Sequence, residues 1–157
     1  MASVVGAIRL RPITAADAPF LRALYGSTRT EELAAVPWSE EQKRAFLDMQ
    51  FRAQSVHYQT HYDNAEFMIV EEAGVAIGRL ILHQRPEEIR VIDISLMPEH
   101  RGRGIGTKLL QDVIREAAAS GRRVSIHVEQ FNPAKRLYER LGFSWVESNG
   151  VYDLMVK

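Results

Sequence analysis

Hydrophobic positions recur along this chain with two different periods, and the switches between them mark its elements. Ala7 to Pro12 alternates apolar and polar residues, as a strand half-buried in a sheet does. Thr14 and Asp17 are both suited to cap a helix running to about Gly26. A loop is expected from Thr28–Arg29–Thr30 to Val36–Pro37–Trp38. Ser39 followed by Gln42 makes a capping box, so a second helix should begin near Glu40. It carries Phe46, Leu47, Phe51 and Tyr58 and should end near His61 or Tyr62.

The middle of the chain reads as strands. Glu66–Glu72 and Val75–His83 flank a tight turn at Ala73–Gly74, and Arg85–Glu88 makes a second turn. Ile89–Met97 is rich in β-branched residues. Short links between three such segments predict an antiparallel meander. Gly104–Ser120 then has helical period, with Ile105, Leu109, Leu110, Val113, Ile114 and Ala117 on one side and Gly121 placed to end it. Arg123–Glu129 follows as a strand. Pro133–Leu141 is a short helix with Pro at its start and Gly142 past its end. Phe143–Ser148 and Val151–Lys157 flank Asn149–Gly150, a strong hairpin signal. The predicted order is β α α β β β α β α β β, an α+β chain with a mixed sheet.

Bulk properties narrow the function classes. The chain has 157 residues, 46% of them hydrophobic and 25% charged, which suits one soluble domain spanning residues 1–157. The formal net charge is +0 with no long basic block, which argues against nucleic acid as a partner. There is no cysteine, so disulfides and a cysteine nucleophile are excluded. Met1 to Ile8 lacks the basic and apolar regions of a signal peptide, and no stretch is apolar enough to span a membrane. The expected compartment is the cytoplasm.

One stretch stands out chemically: Pro98–Glu99–His100–Arg101–Gly102–Arg103–Gly104–Ile105–Gly106–Thr107, between a strand and an amphipathic helix. Glycines at alternate positions let the backbone approach a ligand closely. The first amides of the helix have no partners within it, and its dipole favours an anion there. Arg101 and Arg103 add positive charge. The loop therefore suits a phosphate or pyrophosphate, unless it is simply a tight solvated connection. A Walker loop is absent, and the glycine spacing and position after a meander do not fit a dinucleotide fingerprint.

Arg101–x–x–Gly104–x–Gly106 resembles the acetyl-CoA pyrophosphate loop of the GNAT superfamily, whose pattern is Gln/Arg-x-x-Gly-x-Gly/Ala. Asp93–Ile94–Ser95–Leu96–Met97–Pro98 is similar to that family's fourth strand. Asn132–Pro133–Ala134 followed by Leu137–Tyr138–Glu139–Arg140–Leu141–Gly142–Phe143 resembles its second signature. The resemblance implies a mostly antiparallel mixed sheet of about seven strands, splayed between strands 4 and 5 and flanked by four helices. It implies acetyl-CoA as acyl donor and direct transfer to a primary amine, of a small molecule or a peptide, in a ternary complex. On the same basis the backbone of Ile94, Ser95 and Leu96 should bond the pantetheine arm. The amides of Gly102, Arg103, Gly104, Ile105, Gly106 and Thr107 should hold the pyrophosphate, with Arg101 bonding either the ligand or its own loop. Asn132 should touch the cofactor, although many relatives have one more residue between this Asn and the Tyr. Tyr138 is the counterpart of the family's general acid; its alternative is a helix residue packed on the sheet. His127, on the fifth strand, is a candidate base with Asp93, Glu71 and Glu72 as competitors, or a structural histidine. A homodimer is compatible with the resemblance, with no sequence patch to mark it.

The acceptor side is the least specified. Gln50, Gln54, His57, Tyr58 and His61 share one face of the second helix. Gln50, Gln54 and Tyr58 are candidate acceptor contacts; the alternative is a surface facing water. His57 and His61 have metal-ligand spacing, but only Asp63 is near to complete a set, and no metal is expected. Two other readings of the chain remain: a CoA-binding sensor or interaction module without turnover, and a transferase for a longer acyl-CoA.

Overall fold

The computed structural model describes residues 7–62, 64–130, 132 and 134–157. Met1–Gly6, Asp63 and Pro133, to which the sequence reading assigned the absence of a leader, a metal ligand and a helix start, lie outside them. β1 (Ile8–Pro12) leads through a 3-10 turn (Ala15–Asp17) to α1 (Ala18–Ser27), α2 (Thr30–Ala34) and α3 (Glu40–His61). β2 (Glu66–Glu72), β3 (Val75–Gln84) and β4 (Glu88–Leu96) follow. α4 (Ile105–Ala119), β5 (Arg123–Glu129), α5 (Lys135–Arg140), β6 (Ser144–Asn149) and β7 (Tyr152–Val156) complete the chain.

Local chemistry accounts for most boundaries. Thr14 and Asp17 both serve the first helical entry: the Thr14 amide donates to Asp17 Oδ2 at 2.8 Å. The Ser39 box closes as expected, with the Gln42 amide donating to Ser39 Oγ at 3.1 Å and the Ser39 amide to Gln42 Oε1 at 2.9 Å. α2 is a correction to the expected loop over residues 28–38, and it brings the helices among the described residues to five rather than four. Its five residues are too few to display a period, and it forms around Leu33, which is buried.

The strands build one sheet in the order β1-β2-β3-β4-β5-β7-β6. β1 to β4 form the antiparallel meander. The α4 crossover makes β4 and β5 parallel, and β7 inserts between β5 and β6. α4 and α5 cover one face, where Ile105, Leu109, Leu110, Val113, Tyr138 and Phe143 pack with Leu80, Leu82, Ile89, Val91 and Val124. α1 and α3 cover the β1–β4 half of the other face, where Leu24, Ile69 and Ile81 are buried. Among the described residues no helix is long and apolar enough to cross a membrane.

Two irregularities shape the centre of the sheet. Between β3 and β4 the register passes from Leu82↔Val91 to Ile81↔Asp93, leaving Ile92 without a partner across the ladder. Such a bulge bends its strand and reverses which parity faces the core. Accordingly Ile89 and Val91 are buried toward α4 before it, and Ile94 and Leu96 pack on that side after it. The parallel pairing of β4 with β5 ends at the same place: Val91↔Ile126 is its last pair, although β4 runs on to Leu96 and β5 to Glu129. The strands part there, and a wedge opens between Ile92–Leu96 and His127–Glu129.

Gly78 permits the approach of β3 to this stretch. A Cβ at Gly78 would lie 2.4 Å from Ser95 O and 2.7 Å from Leu96 Cδ2, and backbone cannot yield cheaply. Gly78→Ala is therefore expected to cost about 2 kcal/mol, seen as a fall in melting temperature of about 4–8 °C. An unchanged melting temperature would show that β4 is free to shift here.

Candidate active site

The phosphate-loop candidate leaves β4 at Leu96 and enters α4 at Ile105. Its near end is fixed by Met97 N donating to Ile77 O at 2.8 Å and by Arg101 Nε donating to Leu96 O at 2.9 Å. Arg101 thus bonds within its own loop. Gly102 and Gly104 have φ of +74° and +81°, the left-handed region that favours glycine. The first amide bonded along α4 is Lys108 N to Gly104 O at 3.0 Å, so those of Ile105, Gly106 and Thr107 precede the helical ladder. A Cβ added at Gly102, Gly104 or Gly106 would meet nothing within 4 Å, so the glycine side of the loop is an open cradle lined by peptide groups. Donors without side chains beside a helix N-terminus fit a pyrophosphate. Ile105 is buried in the core and can offer only its backbone.

Tyr138 projects from α5 into the α4-side core, 5% exposed, its ring 6.0 Å from that of Phe143. Burial first, and the nearby negative charge of Asp93 second, push its hydroxyl up to about 12. Tyr58, on α3 and the opposite face, is raised by burial and then by the same Asp93. The same carboxylate is thus the second influence on both hydroxyls, and it lies on the part of β4 that does not pair with β5. Asp93 is held there: Arg79, itself 7% exposed, donates to Asp93 Oδ2 from Nε at 2.8 Å and lies 2.6 Å away at Nη2, and Ser95 Oγ donates to the same oxygen at 3.2 Å. Arg79 Nη2 also donates to Gln54 Oε1 at 3.2 Å, and its guanidinium lies 5.7 Å from the Tyr58 ring centre.

His127 is the first residue of β5 beyond its pairing with β4, on the face opposite α4. Arg90 Nη1 lies 3.2 Å from its Nδ1 and Arg90 Nε donates to Ser125 Oγ at 2.5 Å, while Ser125 Oγ donates to Glu88. Desolvation and then the Arg90 charge hold the imidazole below its ordinary value, so it is neutral at physiological pH. The other base candidates are engaged by arginines: Asp93 by Arg79, Glu71 by Arg11 at 2.7 Å, and Glu72 by Arg103 at 2.8 Å. Asn132 Oδ1 accepts from Ala134 N at 2.9 Å, which fixes the turn before α5.

On the acceptor side, Gln50 and Gln54 both turn toward the protein. Gln50 Oε1 accepts from Tyr25 Oη at 3.2 Å, and Gln54 serves Arg79. His57 and His61 stack on the surface with centroids 4.3 Å apart. Among the described residues no group of three or more His, Cys, Asp or Glu is gathered for a metal. Arg79 and Gly78 escaped the sequence reading; a charged residue inside an apolar strand was the available signal for the first.

The sequence model of the acetyltransferase (GNAT) family matches residues 18–143, which takes in the cradle, β5 and Tyr138. The chain belongs to this family. Among curated relatives it is 30% identical over 95 residues to a mycothiol acetyltransferase of Corynebacterium glutamicum, covering 59% of this chain and 32% of that protein. It is 27% identical over 137 residues to N-alpha-acetyltransferase 40 of Saccharomyces cerevisiae, covering 78% of this chain and 44% of that one. The match thus spans less than half the length of either relative. The GNAT fold is shared with the PaiA N-acetyltransferase of Thermoplasma acidophilum in complex with coenzyme A, at TM-score 0.71 and 18% identity over 96% of this chain and 98% of that one. An acetyltransferase from Thermus thermophilus matches at TM-score 0.68 and 23% identity over 98% and 97%.

The raised Tyr138 hydroxyl makes a prediction independent of turnover. Its folded value lies above the ordinary tyrosine value near 10, so the stability it contributes is complete below about pH 10 and is lost as pH climbs toward 12. Denaturant unfolding of Tyr138→Phe across that window should decline less steeply than wild type. Parallel curves would place the hydroxyl in water.

Proposed function

We propose that the protein transfers the acetyl group of acetyl-CoA to a primary amine of a small molecule or peptide, by direct attack in a ternary complex. What supports this reading is the combination of the open glycine cradle at the start of α4, the end of the β4–β5 pairing just before it, and a protonated Tyr138 packed on the α4 side of the same sheet. The co-substrate supplies an activated thioester carbonyl. The amides of Gly102 to Thr107 hold its pyrophosphate, and the strand edge of Ile94, Ser95 and Leu96 bonds the pantetheine arm as a neighbouring strand would. Asn132 contacts the same arm from the turn before α5.

His127 takes a proton from the acceptor amine, directly or through water. Arg90 lies against its Nδ1, so Nε2 is the nitrogen left to act. His127 is favoured over Asp93, Glu71 and Glu72 because an arginine beside an imidazole keeps it neutral, whereas those carboxylates are tied up in ion pairs. Tyr138 gives its proton to the departing thiolate. A phenol held near 12 is protonated at neutral pH and so available as a donor. Because an ordinary thiol ionises near 8.5, the transfer runs against the pKa order, so it is coupled to the breaking of the C–S bond and the phenol then recovers a proton from solvent. Tyr58, with Gln50 and Gln54 behind it, walls the acceptor side. The chain has no cysteine and needs no covalent intermediate, so the rate comes from positioning and from backbone donors at the carbonyl oxygen.

The first test is thermal unfolding with acetyl-CoA and with longer acyl-CoAs. At one hundred times Kd, binding adds about 2.7 kcal/mol, or roughly 5–10 °C. Absence of a shift with every acyl-CoA removes the transferase reading. Tyr138→Phe should lower kcat by about two orders of magnitude and leave CoA binding intact; a variant with unchanged kcat would remove Tyr138 as the acid, and a protein that binds CoA without releasing it to any amine would be a sensor.

Two further variants probe the remaining parts. The pH–rate profile should lose activity toward acid with an apparent pKa below the ordinary histidine value near 6.5, and His127→Ala should abolish that limb. Gly106 stands in the first turn of α4 with no positive φ and open space at its Cβ. Gly106→Ala should therefore hold or raise the melting temperature while weakening acetyl-CoA severalfold. Equal affinity would mean that no ligand comes close to that backbone.

A further inference from the structure

The second arginine of the cradle, Arg103, is held on the protein side of the loop. Along Arg101–Gly102–Arg103–Gly104 the glycine positions look outward into empty space, while Arg101, though exposed, donates from Nε to Leu96 O and the Arg103 guanidinium turns back onto the protein. Arg103 reaches across to the end of β2. Its Nη1 donates to Glu72 Oε1 at 2.9 Å and its Nη2 to Glu72 Oε2 at 2.8 Å, a two-point grip that fixes orientation as well as distance. His100 Nδ1 lies 3.1 Å from Arg103 Nη1 and 3.6 Å from Glu72 Oε1, on the inner side of the same contact. Glu72 is itself held in the sheet, paired with Ile8 on β1 and Val75 on β3. Its carboxyl is kept below the usual carboxylate range by Arg103, so the grip persists through the neutral range.

We infer that Glu72 and Arg103 are a positioning pair, a strut that holds the Gly102–Gly104 segment from behind so that its amides face the ligand. The physical need is specific. A residue between two glycines in the left-handed region sits in the most permissive backbone of the chain, and free amides there would lose orientation on binding. The rigid sheet lies on the other side of the loop from the cradle, and Glu72 transfers that rigidity through one side-chain contact. Arg103 accordingly acts on the ligand through its own backbone and not through its charge. This assignment rests on the acyl-CoA reading of the cradle for its consequence in binding, though not for its effect on the loop.

Three variants test it: Glu72→Gln, Arg103→Gln, and the charge exchange Glu72→Arg with Arg103→Glu. Two readouts are taken. The first is amide hydrogen exchange in the unliganded protein. Both single variants should speed exchange at residues 102–107 and leave the strands unchanged, and the exchanged pair should restore protection. The second is titration with coenzyme A and steady-state kinetics. Each single variant should raise Kd and the KM for acetyl-CoA on the order of tenfold with kcat retained, and the exchanged pair should recover most of the loss.

The opposite pattern overturns the inference. If Glu72→Gln tightens CoA while the exchanged pair binds worst of all, Arg103 is a phosphate ligand and Glu72 its competitor. Unaltered loop exchange in both single variants also overturns it. A wild-type protein that fails to bind coenzyme A sinks the acyl-CoA reading instead, and the hydrogen-exchange arm still decides the strut.

Discussion

Everything at the centre of this protein depends on where β4 lets go of β5. Parallel pairing stops at Val91↔Ile126, level with the unpaired Ile92 on the other edge of β4. A strand in mid-sheet normally has both edges satisfied by neighbours. Here the last five of the nine residues of β4 keep β3 on one side and lose β5 on the other, while β5 is still held by β7 as far as Glu129↔Tyr152. Backbone groups in the interior of a sheet thereby become available to a ligand without any strand being an outer edge. The bulge also turns Asp93 and Ser95 toward α3 and returns Ile94 and Leu96 to the α4 core, so one extra residue decides which side chains line the wedge.

A carboxylate at such a point is costly unless it is paired, and Arg79 meets that need. Removing one partner of a buried pair typically costs about 3–5 kcal/mol, which makes Arg79–Asp93 a structural necessity of the wedge. Its consequence is chemical. Burial raises the Tyr58 and Tyr138 hydroxyls first, and the Asp93 charge adds to it by disfavouring a second negative charge on either. The same pairing appears beside the cradle, where the Arg103 charge is matched by Glu72.

The sequence foretold the elements well because their signals are local. Ser39 with Gln42 fixes the start of α3 through contacts three residues apart. Alternation and β-branching mark the meander, and Asn149–Gly150 marks the hairpin of β6 and β7. The glycine loop and Tyr138 were legible for the same reason, being short motifs with a physical role at each position. α2 was missed because its five residues show no period. The inward turn of Arg103 was missed because a basic residue in a phosphate loop reads as a ligand until its partner, thirty-one positions upstream, is seen.

The sequence alone determined the order of the strands and of every helix but α2, and the α+β class, since these follow from dihedral preference, hydrophobic period and nearest-neighbour hydrogen bonding; the resemblance, not those local rules, singled out Tyr138. Only the tertiary structure decided that β7 lies between β5 and β6, that β4 slips by one residue at Ile92, and that Asp93, Glu71 and Glu72 are each held by an arginine while Arg90 lies against His127. The three carboxylate–arginine pairs alone join residues from fourteen to sixty positions apart. Such pairings are chosen by the burial of whole faces and the neutralisation of buried charge, and no local window of sequence carries that information.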